Sequence, residues 1–135
     1  MMPYLPLRIA LIVAALPPLG FGLCAVVDAK YVQRFIRTFS NATAEATPEL
    51  NYLLKPLGIY QIAFAACLLL AACDPVRYRE LITLGAAVLM ARGVQRLALT
   101  KGLQKMFQIS ATVNVGHCLY LFLIGAVLLV LRPAA

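Results

Sequence analysis

The sequence has no tryptophan and a single histidine, His117, and five acidic residues stand against twelve lysines and arginines. One histidine cannot build a metal site alone. None of Cys24, Cys67, Cys73 and Cys118 forms a C-x-x-C pair or stands at zinc-ligand spacing from it. These cysteines lie in or beside apolar segments and read as small, polarizable packing residues. The shortage of acids leaves no carboxylate pair inside any apolar stretch, so a proton relay through such a stretch has no residues to run on. The chain also lacks G-x-S-x-G, H-E-x-x-H, C-x-x-C-H, the P-loop and G-x-G-x-x-G, and with them any positive sign of catalysis. Without tryptophan, an aromatic belt must be built from tyrosines such as Tyr4, Tyr52, Tyr60, Tyr78 and Tyr120.

What the chain has in abundance is apolar length. It is 63% hydrophobic and 13% charged over 135 residues, with a mean hydropathy of +0.89. Soluble domains are nearer half apolar and a quarter charged. A bilayer span needs about 20 apolar residues. Four spans and short loops use nearly the whole chain, which implies one transmembrane domain over residues 1–135 and no separate soluble domain. The net charge of +7 does not point to nucleic acid, because the basic residues sit at span ends, where they orient the protein and meet anionic membrane lipid.

The spans read in order as residues 5–27, 56–72, 80–99 and 107–131. The run after Arg8 is too long for a signal-peptide core, and Leu23 before Cys24 makes a poor lipoprotein cleavage site, so a retained first span is expected. Pro17-Pro18 inside it predicts a kink near Leu16, tolerated where a neighbouring helix satisfies the freed carbonyls. After Asp28, Lys30, Arg34 and Arg37 recur at helical spacing opposite Tyr31, Val32, Phe35, Ile36 and Phe39. This predicts a basic amphipathic helix at the interface, or an extension of the first span. Residues 40–47, SNATAEAT, form a hydrophilic linker in which Asn41-Ala42-Thr43 fits a glycosylation acceptor by chance composition. Thr47-Pro48-Glu49 marks a helix start, and Lys55-Pro56 a bend. Ala63, Cys67 and Ala71 form a small-residue stripe suited to close helix approach. Asp74-Pro75 makes a turn too short for anything but antiparallel neighbours. Residues 100–106 are expected to be a loop. The fold class is therefore all-α, a transmembrane four-helix up-and-down bundle with a short interfacial amphipathic segment after the first span.

The third span, LITLGAAVLMARGVQRLAL, carries Arg92, Gln95 and Arg96 in its second half. An arginine at the centre of such a helix costs roughly 2.5–3.5 kcal/mol and needs partners or water. Alternating spans bring Asp28, Gln61, Arg92, Gln95, Arg96, Ser110, Asn114 and His117 to one side of the membrane. That asymmetry predicts a polar cluster in one leaflet half, with both arginines inward and Asp28 or tyrosine hydroxyls as partners. Two readings stay open. The network is structural, with arginines satisfied or snorkelling, or it is a ligand pocket in which Arg92, Arg96, His117, Asn114, Gln61 and Asp28 hold an anionic or carbonyl-bearing molecule. Arg8, Arg77, Arg79 and Arg132 fall on the side of the termini and the more numerous remaining Lys and Arg on the other, so the positive-inside rule places both termini outside.

Leu53–Gly58 within TPELNYLLKPLGIYQ, the turn DPVRYRE, and Arg92–Leu97 within ARGVQRL together resemble the small four-helix membrane proteins of the DoxX-like and BphX-like kind. Some DoxX-type proteins are small subunits of quinone-linked oxidoreductases, so the resemblance implies an accessory membrane subunit. It carries over no catalytic residue, and the sequence names no cofactor. The leading expectation is a small non-catalytic accessory or scaffold subunit, meeting other membrane subunits or a second copy of itself. The rival is a ligand-handling protein, either a quinone-linked redox subunit or a small-molecule carrier. A pore is open only to an oligomer, because four short spans pack without a lumen.

Overall fold

A computed structural model describes residues 4–40 and 47–134. The described residues form six helices and no strand: α1 (Leu5–Val27), α2 (Ala29–Ser40), α3 (Pro48–Cys73), α4 (Arg79–Ala98), α5 (Thr100–Phe107) and α6 (Ala111–Leu131). Four of them, α1, α3, α4 and α6, are long and apolar enough to cross a membrane. At 20–26 residues they run about 30–39 Å, against a hydrocarbon core of about 30 Å. Most of the linker and its glycosylation triplet lie outside the described residues.

The helices are joined by local chemistry. Extended backbone at Asp28 (φ −165°) separates α1 from α2. The Asp28 carboxylate then accepts the Lys30 N–H at 2.8 Å, and Asn51 Oδ1 in α3 accepts the Ala29 N–H at 3.1 Å. Two donors at the start of α2 are thus satisfied, one of them by a neighbouring helix. Ala29 and Val32 are buried with Ala25 and Leu54, with Phe35 and Ile36 half-buried, while Lys30, Arg34 and Arg37 are exposed; of the expected apolar side, Tyr31 and Phe39 are exposed as well. Phe35 packs edge-on to Phe21 at 6.4 Å and closes over Gly20, which folds α2 back onto α1.

Thr47 caps α3 by accepting the Leu50 N–H at 3.2 Å, with Pro48 in the first turn. The helix then continues through Pro56, so the bend expected at Lys55-Pro56 does not break it. Pro56 lacks the N–H that would reach the Tyr52 carbonyl, and both residues are exposed. The Asp74 carboxylate accepts the Arg77 N–H at 3.1 Å and closes the turn into α4. Residues 100–107 are helical rather than a loop: Leu103 and Phe107 turn inward, Lys101 and Lys105 outward, and Gln108 ends α5 in the left-handed region at φ 53°. The last long helix accordingly begins at Ala111, not near Phe107, and Ser110 caps it by accepting the Val113 N–H at 3.3 Å.

The tightest contact joins α1 to α3. A Cβ on Gly22 would lie 2.8 Å from the Gly58 carbonyl oxygen, and one on Gly58 would lie 2.8 Å from that of Gly22. The backbones touch because neither residue carries a side chain. Leu5 and Cys73 line one groove at the other end of this pair, so α1 and α3 are antiparallel. Of the stripe expected at Ala63, Cys67 and Ala71, Ala71 is fully buried, Cys67 half-buried and Ala63 exposed; the seam runs instead through Gly58, Ala65, Leu68 and Ala72, buried at near-heptad spacing. Helices α4 and α6 pair in the same antiparallel sense. Gly93 lies under Phe122, Gly125 meets Met90 and the Ala86 carbonyl, and Arg132 Nη1 donates to Thr83 Oγ1 at 2.6 Å.

One apolar core, including Leu7, Leu11, Leu68, Ile82, Leu89 and Leu128, joins all four long helices toward the Asp74–Tyr78 turn. Helix α1 runs unbroken through Pro17-Pro18. Pro17 has no N–H for the Val13 carbonyl four residues back. The Tyr120 hydroxyl of α6 donates to that carbonyl instead, at 3.3 Å. The proline defect in one helix is repaired by a tyrosine of another.

Candidate functional site

The seam of α4 runs through Ile82, Gly85, Ala86, Leu89 and Gly93. Arg96 lies fourteen residues after Ile82, two heptads on, and therefore falls on the same seam. It is half-buried against α6. Its Nε–H donates to Asn114 Oδ1 at 3.1 Å. Asn114, with 0% exposure, donates in turn through Nδ2 to the Arg96 carbonyl at 3.2 Å and to Thr100 Oγ1 at 3.0 Å. The Thr100 hydroxyl donates back to the carbonyls of Arg96 and Leu97 at 3.1 and 2.8 Å. This closed set of bonds clamps the α4–α5 junction to α6. One amide side chain satisfies a guanidinium and a helix-end carbonyl together, both costly to leave unpaired away from water.

Arg92 behaves differently. It precedes Gly93 by one residue, about 100° around the helix, and is exposed. It lies close enough to Arg96 for the two charges to interact, yet among the described residues it forms no hydrogen bond or ion pair. The inward placement expected of both arginines is thus found for Arg96 and not for Arg92: the glycine and alanine seam that lets α4 approach α6 fixes the helix rotation, and only one arginine is in phase with it.

The remaining predicted residues are spread around this clamp. His117 sits one turn beyond Asn114 on α6, half-buried and within electrostatic reach of Arg96. The Val113 carbonyl lies near its ring, but Nδ1, which is buried, has no partner at hydrogen-bonding geometry among the described residues. Gln61 is half-buried in α3 and Gln95 exposed on α4; neither joins the bonds around Asn114. Asp28 is used at the start of α2 and pairs with neither arginine. The one ion pair among the described residues is Arg79 with Glu80, at 3.1 Å on the surface. Of the tyrosine hydroxyls expected near the arginines, that of Tyr120 goes to Val13. Ser110 is a helix cap.

Arg96, Asn114 and His117 are therefore gathered at the α4–α6 contact with Arg92 beside them, while Asp28 and Ser110 serve elsewhere and Gln61 lies apart on α3. Thr100 belongs to the clamp and was not anticipated; its place four residues after Arg96 is the signal that finds it, since a threonine hydroxyl there reaches the carbonyl one turn back. Chemically, the site presents Arg92, Arg96 and an imidazole with no carboxylate among the described residues bonded to them. It can neutralise an anion; among the described residues no group of three His, Cys, Asp or Glu gathers to hold a metal. In comparisons with known proteins, the chain matches no family model, no curated protein and no solved structure.

Proposed function

We propose that this multi-pass membrane protein is a small non-catalytic accessory or scaffold subunit of a larger membrane complex. In this reading its four long helices run up and down through the bilayer, with both termini outside, in the manner of the DoxX-like and BphX-like proteins it resembles. The observation that carries the reading is Arg92. It stands six residues before Ala98, the last residue of α4, roughly 9 Å along the helix, and is exposed without a counter-ion among the described residues. A guanidinium at that depth is stabilised by a carboxylate on a neighbouring transmembrane segment. A second copy of this chain would present the same positive face and repel it, so the partner is a different subunit carrying a membrane-embedded Asp or Glu.

Purification from native membranes in mild detergent tests this. The wild type is expected to emerge with a larger partner, Arg92→Lys to retain part of it, and Arg92→Leu to lose it. Recovery of the wild type as a lone monomer contradicts the reading. So does co-purification unchanged by Arg92→Leu.

A second reading is favoured by the grouping of Arg92, Arg96 and His117 with no bonded carboxylate among the described residues. It makes the protein a handler of an anionic or carbonyl-bearing small molecule, as a quinone-linked redox subunit or carrier. Under it, Arg92→Leu and His117→Ala each abolish binding of that molecule while the chain still folds. Binding unchanged by both substitutions removes the reading.

A further inference from the structure

At the opposite end of the molecule from the clamp, a groove of about 350 Å³ opens between the start of α1 and the end of α3. Ile9, Ile12, Leu69 and Ala72 wall it, and Arg8 and Cys73 stand at its edge. Ile9 and Ile12 are 53% and 44% exposed, so the walls are open to whatever surrounds the helices. Arg8 Nε is buried and has no hydrogen-bond partner among the described residues. The acids nearest in the fold are already engaged: Asp74 accepts the Arg77 N–H, and Glu80 holds Arg79. Among the described residues, no carboxylate lines the groove.

The Arg8 guanidinium forms no ion pair among the described residues, so its charge suits an anion, and a volume of this size falls at the lower end of the range for small-molecule sites. Arg8 lies three residues past Leu5, the first residue of α1, roughly 5 Å along the helix. That puts its charge at headgroup depth while Ile9 and Ile12 run on toward the hydrocarbon. We infer that this groove seats one anionic phospholipid of the leaflet next to the termini. The phosphate binds the Arg8 guanidinium, whose fork matches two phosphate oxygens, and an acyl chain lies along Ile9, Ile12 and Leu69. Free phosphate has the same headgroup chemistry but nothing to place against three apolar side chains.

The test uses the full chain in detergent with added dioleoylphosphatidylglycerol or dioleoylphosphatidylcholine, read by native mass spectrometry. The wild type is expected to retain one phosphatidylglycerol in preference to phosphatidylcholine by about fivefold, the effect of one basic residue at an anionic headgroup. Arg8→Gln erases the preference and Arg8→Lys keeps part of it. Excess inorganic phosphate leaves the bound lipid in place. A second reading needs no variant and stands even where Arg8→Gln fails to fold: Cys73 is a free, exposed thiol at the groove, and its maleimide labelling, mapped by peptide, slows with phosphatidylglycerol and not with phosphatidylcholine. Equal retention of the two lipids, an unchanged preference in Arg8→Gln, displacement of the lipid by phosphate, or Cys73 labelling indifferent to headgroup each overturns the proposal.

Discussion

Replacing Asn114 with leucine removes, at nearly constant volume, the three bonds that tie α6 to the α4–α5 junction. Two of them join neutral groups, to the Arg96 carbonyl and Thr100 Oγ1. In membrane proteins such bonds are worth about 0.6–1 kcal/mol each. The third accepts from the Arg96 guanidinium, and a bond to a charged group contributes about 1.5–3 kcal/mol. The sum is roughly 3–5 kcal/mol, read as a shift in reversible unfolding when the folded protein in mixed micelles is titrated with a denaturing detergent. The cost should fall when Arg96→Leu is added, because the charge left unpaired by the first substitution is then gone; the double variant should be more stable than the summed single effects predict by at least about 1 kcal/mol. A loss under about 1 kcal/mol for Asn114→Leu, or strict additivity, would refute the idea that the amide holds the guanidinium and the helix end together.

Tyr120→Phe leaves the Val13 carbonyl beside Pro17 without its donor and should cost about 0.6–1.7 kcal/mol in the same titration; no measurable loss means that the carbonyl finds another partner. Gly58→Ala drives a methyl into the Gly22 carbonyl and Ala25 and should destabilise by about 1–3 kcal/mol. Gly116, with nothing within 4 Å of an added Cβ, should accept alanine neutrally or with a gain of up to about 1 kcal/mol; equal effects at the two glycines would deny the close α1–α3 approach. Cys73 is exposed and Cys118 buried, so maleimide should modify Cys73 in the folded protein and Cys118 only after unfolding.

The long helices were legible in the sequence because apolar length is read one residue at a time, and the start at Thr47-Pro48 because capping is local; Asp74-Pro75 gave the turn but not the helix start, since α4 begins at Arg79 after Tyr78 with no side-chain cap. The α2 amphipathic pattern was legible for the same reason. What the sequence did not show was helix rotation. Arg92 and Arg96 share a helix face by spacing, but which side of that face meets α6 depends on where Gly93 and Gly125 let the backbones close. The stripe of Ala63, Cys67 and Ala71 failed likewise at Ala63, since the seam of α3 runs through Gly58, Ala65, Leu68 and Ala72. Helix α5 is short and its pattern of Leu103 and Phe107 too brief to separate from a loop. The link from Pro17 to Tyr120 spans most of the chain; the sequence predicted the need for a donor without identifying it.

The outward guanidinium is tested most directly by placing a photo-crosslinking amino acid at position 92 in native membranes, with position 89, buried on the seam, as the control. Irradiation at position 92 should give one discrete adduct with a different polypeptide, absent at position 89. Adducts with lipid alone at position 92, or the same products from both positions, would contradict the assignment of Arg92 to a partner subunit.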